Sequence, residues 1–121
     1  MQTSEVVFLD LLMQLRRGVS RHFFFESSAI PFDLLLIVFA NFRLASEPMA
    51  IKSILLGLPY SQMAVRYHLK ALVKRGFLIT IPDKRDRRIT RVMPSEKCIQ
   101  GFCSLNADLK PFISDSPSLR S

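Results

Sequence analysis

Residues 59–92 read PYSQMAVRYHLKALVKRGFLITIPDKRDRRITRV. Ser61 stands where a helix N-cap accepts a hydrogen bond from the first turn, and Gly76 where a helix stops. Between them Val65, Leu69, Leu72 and Val73 recur at helical spacing, which predicts a helix from Gln62 to about Arg75 with one buried side. Tyr67, Lys70 and Lys74 fall on the opposite side, with Arg66 at its edge and Gln62 near the N-terminus. Phe77–Ile81 is rich in β-branched and aromatic residues and reads as a strand. Pro82–Arg87 reads as a loop and Arg88–Met93 as the return strand, where Ile89 alternates with Arg88 and Thr90 in the pattern of a hairpin with one wet face. Lys84, Arg85, Arg87 and Arg88 crowd the tip. Their mutual repulsion is offset in part by Asp83 and Asp86, and would be offset further by an anionic partner.

Working back along the chain, Met49–Leu56 (MAIKSILL) predicts a short helix with Met49, Ile51, Ile54, Leu55 and Leu58 on its apolar side. Pro48 would lie in its first turn, Ser46 or Glu47 would serve its free amides, and Gly57 would close it. A short helix, a turn at Leu58–Tyr60 and a second helix basic on its outer side make a helix-turn-helix. Placed directly before a basic hairpin, this arrangement predicts binding to double-stranded DNA, with phosphates and the minor groove as natural partners for the hairpin cations. Pro31–Leu44 is apolar nearly all round and predicts a central core helix, with Ser28 as its N-cap. Residues 5–25 predict a first helix with Val7, Leu11, Leu15 and Val19 in one row, Phe8 and Leu12 beside them, and Phe23, Phe24 and Phe25 at its end. Gly18 reads as a weak point costing about 1 kcal/mol against Ala. So broad an apolar stripe packs either on the chain's own core or on a second subunit. Beyond the hairpin, residues 95–110 predict a last helix capped by Ser95, with Ile99, Phe102, Cys103 and Leu105 or Leu109 on its apolar side. After Pro111 the sequence reads as a frayed tail.

With 121 residues, 49% of them apolar, and a net charge of +7, the chain is long enough for one packed domain and too apolar to be disordered. The fold class expected is mainly α with a small β-hairpin wing: residues 1–27 an N-terminal dimerisation helix, 28–94 a winged helix-turn-helix, and 95–121 a C-terminal dimerisation helix and tail. Cys98 and Cys103 lie about 140° apart around a helix axis and share no face. They read as free thiols, with redox sensing as the alternative. No histidine or cysteine cluster completes a zinc site, and no cofactor is implied. No paired carboxylates with a histidine, nucleophile motif or phosphate-cradling glycine loop points to an enzyme; His22 and His68 read as structural. Glu5 and Asp10 in an N-terminus without a basic segment argue against a signal peptide. The longest apolar run, Pro31–Phe42, is too short to span a membrane, so the expected location is the cytoplasm.

The wing carries a family resemblance. Asp86-Arg87-Arg88, then Val92, then Ser95 resemble the Asp-x-Arg, strand valine and helix-opening Thr or Ser of the MarR-type winged-helix transcriptional regulators. Ser61, Val65, Leu69, Leu72 and Gly76 fit that family's recognition helix, and the resemblance covers roughly residues 28–105. Arg66 and Tyr67 stand where the family usually has Ser or Thr followed by Arg. The resemblance implies that Asp86 and Arg88 shape the wing, that the helix from Ser61 lies in the major groove, and that the first and last helices form a homodimer. It also implies a possible small aromatic effector, for which Phe23–Phe25 and Phe39 could line a pocket; the same phenylalanines read as plain core. The residues expected at DNA are Ser61, Gln62, Arg66, Tyr67, Lys70, Lys74, Lys84, Arg85, Arg87 and Arg88. The competing reading is a winged-helix module that binds an acidic protein.

Overall fold

The computed structural model describes residues 3–23 and 28–114. In chain order the elements are α1 (Thr3–Phe23), α2 (Ile30–Leu44), β1 (Met49–Ala50), α3 (Ile51–Gly57), α4 (Gln62–Lys74), β2 (Leu78–Pro82), β3 (Thr90–Pro94) and α5 (Glu96–Ser114). They fall into two compact units, Ser27–Ile99 and Met1–Glu26 with Gln100–Ser121.

In the Ser27–Ile99 unit, Leu34, Leu35 and Val38 of α2 are buried together with Ile54 and Leu55 of α3 and Val65, Leu69 and Leu72 of α4. Phe77, Leu78, Val92 and Cys98 are buried with them. Burying each large apolar side chain contributes about 1.5–3 kcal/mol. Ser61 caps α4 by accepting from the Ala64 amide at 3.2 Å. At the other end Gly76, at φ 83°, donates to the Val73 carbonyl at 3.0 Å while Phe77 donates to Leu72 at 2.9 Å. This pair of bonds is a complete Schellman stop, which needs a residue that tolerates positive φ. Lys97 then reaches back to the Arg75 carbonyl at 2.9 Å and lies 4.3 Å above the Phe77 ring.

The hairpin belongs to a three-stranded antiparallel sheet of order β1-β3-β2. Leu78 pairs with Pro94 and Pro82 with Thr90, while Met49 and Ala50 pair with Val92 and Arg91. This corrects the predicted start of the third helix: Met49 and Ala50 form a strand, and α3 begins at Ile51. Pro48 therefore lies before the strand rather than in the first turn of a helix, and its carbonyl accepts from Arg91 at 2.7 Å. Glu47 is turned to arginines rather than to helix amides. The return strand also starts later than expected. Arg88 and Ile89 stay in the loop, which closes when the Asp83 amide donates to Ile89 at 2.9 Å and Ile89 donates to Asp86 at 3.0 Å.

Other helix ends differ from expectation. The N-cap of α2 is Ala29, and Ser28 accepts from the Ile30 amide at 3.3 Å from one position further out. Gly57 is the last residue of α3 without positive φ; a Cβ there would lie 3.1 Å from Ile37 Cδ1, so its smallness serves packing. Nor is α2 wholly a core helix, since Leu36, Phe42 and Leu44 are exposed. The last helix continues through Pro111 to Ser114. Proline there removes one intrahelical bond without forbidding helical φ. Residues 115–121, the rest of the expected tail, lie outside the described residues.

The other unit joins α1 to α5 from Gln100 onward. Phe23 is fully buried and packs on Phe102 with ring centroids 5.0 Å apart. A Cβ at Gly101 would lie 2.6 Å from the Phe23 ring, and one at Gly18 2.5 Å from Leu105 Cδ1. Gly18 is therefore where two helices approach closely, which a propensity argument reads only as weakness. His22 Nε2 lies 2.7 Å from Asp108 Oδ2, which also accepts from Arg21 at 3.3 Å. Leu9, Leu12, Met13 and Ile113 remain exposed. The side chains of Val7 and Phe8, and Phe24 and Phe25 altogether, lie outside the described residues. No helix among the described residues is long and apolar enough to cross a membrane.

Candidate nucleic-acid interface

The helical spacing of the α4 core residues dictates which side chains remain outside. Gln62, Arg66, Lys70 and Lys74 form one row at four-residue steps, and all four are exposed. Tyr67 is also exposed, its ring edge-on to His68 with centroids 5.2 Å apart. Ser61 is exposed as well, with its hydroxyl engaged as the cap. Gln62 and Arg66 share a cleft of about 490 Å³ with Arg88, Ile89 and Thr90 of the wing and Lys52 and Leu56 of α3. A second groove of about 430 Å³ has Leu69, Val73 and Thr80 in its lining and Arg66, Lys70 and Lys74 around them. Arg66 thus borders both. The wing and the exposed face of α4 make one cationic surface within a single compact unit.

The wing is held by two carboxylates. Asp86 Oδ1 accepts from the Arg88 amide and from Arg88 Nε, both at 3.1 Å, and Oδ2 accepts from Arg88 Nη2 at 3.0 Å. The Arg88 hydrogen bonds hold the Asp86 carboxyl below its ordinary value. Asp83 does more than neutralise charge. Its Oδ2 accepts from the amides of Arg85 at 3.0 Å and Asp86 at 2.9 Å, and its Oδ1 from Arg91 Nε at 2.7 Å. The Arg91 bond, then the amide bonds, lower its pKa. Arg91 continues to the Pro48 carbonyl and to Glu47 Oε2 at 3.6 Å, and Glu47 Oε1 meets Arg85 at 3.3 Å. The wing is thereby tied to the connection between α2 and β1.

Of the residues expected at DNA, Gln62, Arg66 and Arg88 meet at one cleft, while Lys70 and Lys74 border the next. Lys84, Arg85 and Arg87 are exposed in the wing loop. Lys84 and Arg87 make no ion pair among the described residues, whereas Arg85 and Arg88 are already engaged. Sequence reasoning missed Lys52 and Arg91, and read Glu47 only as a helix cap. Arg91 lies in a strand read only for its apolar alternation, and its partners are distant in the chain. Elsewhere, Tyr60 donates to the Asp33 carboxylate, and that bond raises the phenol above its ordinary value. Burial pushes the Cys98 thiol up to about 12, whereas Cys103 is exposed. Cys98 rather than Cys103 therefore belongs to the buried side of the last helix. Phe23 packs as core against Phe102. Among the described residues no three His, Cys, Asp or Glu side chains could hold a metal ion.

The sequence profile of the winged helix DNA-binding domain matches residues 35–98. No curated protein matches by sequence. Among solved structures the chain is similar to S. aureus MepR bound to ethidium bromide, at 12% identity and a TM-score of 0.74, covering all of this chain and 84% of that one. It is similar to S. aureus MepR in complex with DNA at 12% identity and a TM-score of 0.70, covering 96% and 84%. The transcriptional regulator Tm0710 from Thermotoga maritima is similar at 20% identity and a TM-score of 0.68, covering 92% and 75%.

Proposed function

Since the chain belongs to the winged helix DNA-binding domain family and has the MarR-type fold, we propose that it is a homodimeric, sequence-specific transcriptional regulator. It places α4 in the major groove and the wing at the minor groove of a pseudo-palindromic duplex site. The observation that carries this reading is the exposed row Gln62, Arg66, Lys70, Lys74, whose first two members share a cleft with Arg88 of the wing within one compact unit. The likeness to MepR, a protein solved with DNA, supports it. Ser61, Gln62, Arg66, Tyr67 and Lys70 face the major groove. Arg66 is the base reader, bidentate to a guanine and contributing about 1–3 kcal/mol of discrimination. Lys70 and Lys74 meet phosphates. Lys84, Arg85 and Arg87 reach the minor groove or its rims, and Arg88 shapes the wing through Asp86 while presenting its cation to the same surface. Exposed Leu9, Leu12, Met13 and Ile113 supply the apolar surface for a second copy.

Binding to random duplex as a function of salt tests the reading. Measurable affinity at low salt is expected, and Lys70→Ala should flatten the log–log salt slope by about 0.9, one phosphate contact. No binding to any duplex at low salt would overturn the proposal in favour of a protein partner. A dimeric mass in sedimentation is expected at the concentrations used for binding.

A further inference from the structure

An α-helix turns by about 100° per residue. In α4 the buried residues Val65, Leu69 and Leu72 fix one direction as inward. The direction diametrically opposite falls between Met63 and Tyr67. Over the first two turns these two, rather than Gln62 or Arg66, point most directly away from the core, and Lys74 takes the same direction further along the helix. Met63 is 82% exposed and Tyr67 70% exposed. A helix face built only for solvent would carry polar groups there. Instead an apolar row, Met63 and Tyr67, runs beside the hydrogen-bonding row of Gln62 and Arg66 in the first two turns, and both of its side chains are exposed. Resting on the DNA-binding reading above, this row meets the floor of the major groove first. The one apolar group that the four base pairs expose there is the C5 methyl of thymine.

We propose that Met63, together with Tyr67, reads thymine methyl groups, making Met63 a specificity-determining residue alongside Arg66. Met63 and Tyr67 are four residues apart, about 6 Å along the axis, which matches roughly two base-pair steps at 3.4 Å each. The preferred site then carries thymines about two steps apart, close to the guanine read by Arg66.

The test uses the full chain and a duplex selected from a random pool. Each thymine of that duplex is replaced in turn by deoxyuridine, which removes the methyl and keeps the base pair. For the unaltered protein, loss of one methyl should weaken binding about 3- to 10-fold at one or two positions and leave the others unchanged. Met63→Ala should erase the difference between thymine and uracil at one such position, and Tyr67→Ala at the other. Both side chains are exposed, so these variants fold; Met63→Gln, of similar length and polar, should behave as Met63→Ala. Lys74→Ala should weaken the thymine and uracil duplexes equally. A selected duplex that binds equally well at every uracil position overturns this proposal alone, as does a methyl effect that survives in full in both Met63→Ala and Tyr67→Ala. A pool that yields no bound duplex overturns the DNA-binding reading beneath it.

Discussion

Asp83 uses both carboxylate oxygens, one on Arg91 and one on two loop amides. Its pKa is lowered in the fold, so its contribution is complete above the ordinary carboxylate value of about 3.9 and fades as falling pH passes through the lower folded value. Urea midpoints should therefore drop below about pH 4, and Asp83→Asn should be less stable at neutral pH while losing less in acid. An identical acid limb in the two proteins would remove Asp83 from this role. The thiols should differ as well. With burial pushing Cys98 up to about 12, an aromatic disulfide reagent at pH 8 should modify Cys103 in the native protein and reach Cys98 only on unfolding, as read by mass spectrometry. At this scale the α4 residues were legible because four-residue spacing alone puts them on one face. The Arg91–Pro48 bond was not, since it joins residues 43 apart in the chain.

The stop of α4 is the element whose geometry follows most directly from one residue. Gly76 at φ 83° supports two closing bonds, and a Cβ there would meet no atom within 4 Å, so the penalty for a side chain is backbone strain alone. Gly76→Ala should cost roughly 1–2 kcal/mol in denaturant unfolding and loosen the entry to β2. The caps at Ser61 and Ser95 were readable because a hydroxyl before an apolar-periodic run has few other uses; Ser95 accepts from the Cys98 amide at 3.2 Å and in addition donates to the Gly76 carbonyl at 2.6 Å. β1 was not readable. Two residues are too few to show alternation, and Met49 and Ala50 become a strand only because β3 lies beside them. The passage of α5 through Pro111 was likewise hidden, since local propensity opposes it.

Across the whole molecule, both compact units rest on apolar packing, and the α1–α5 unit depends on glycines that propensity would discard. Gly101→Ala would gain about 1 kcal/mol of helix propensity but push a Cβ onto the buried ring of Phe23. Overpacking of this kind costs typically about 1–3 kcal/mol. A net loss of stability is expected in thermal or denaturant unfolding, and a gain would mean that the ring has room to move. The mainly helical architecture and the wing were visible in the sequence because periodicity and turn residues agreed. The close helix approach was not, because it depends on which helices become neighbours. One further consequence concerns the sheet. Its rims are β1, two residues long, and β2, which ends at Pro82 and so lacks an amide hydrogen there. Neither rim offers a foreign strand more than a short row of free backbone groups. The exposed hairpin is thereby poorly suited to seed fibrils, even where many copies crowd together.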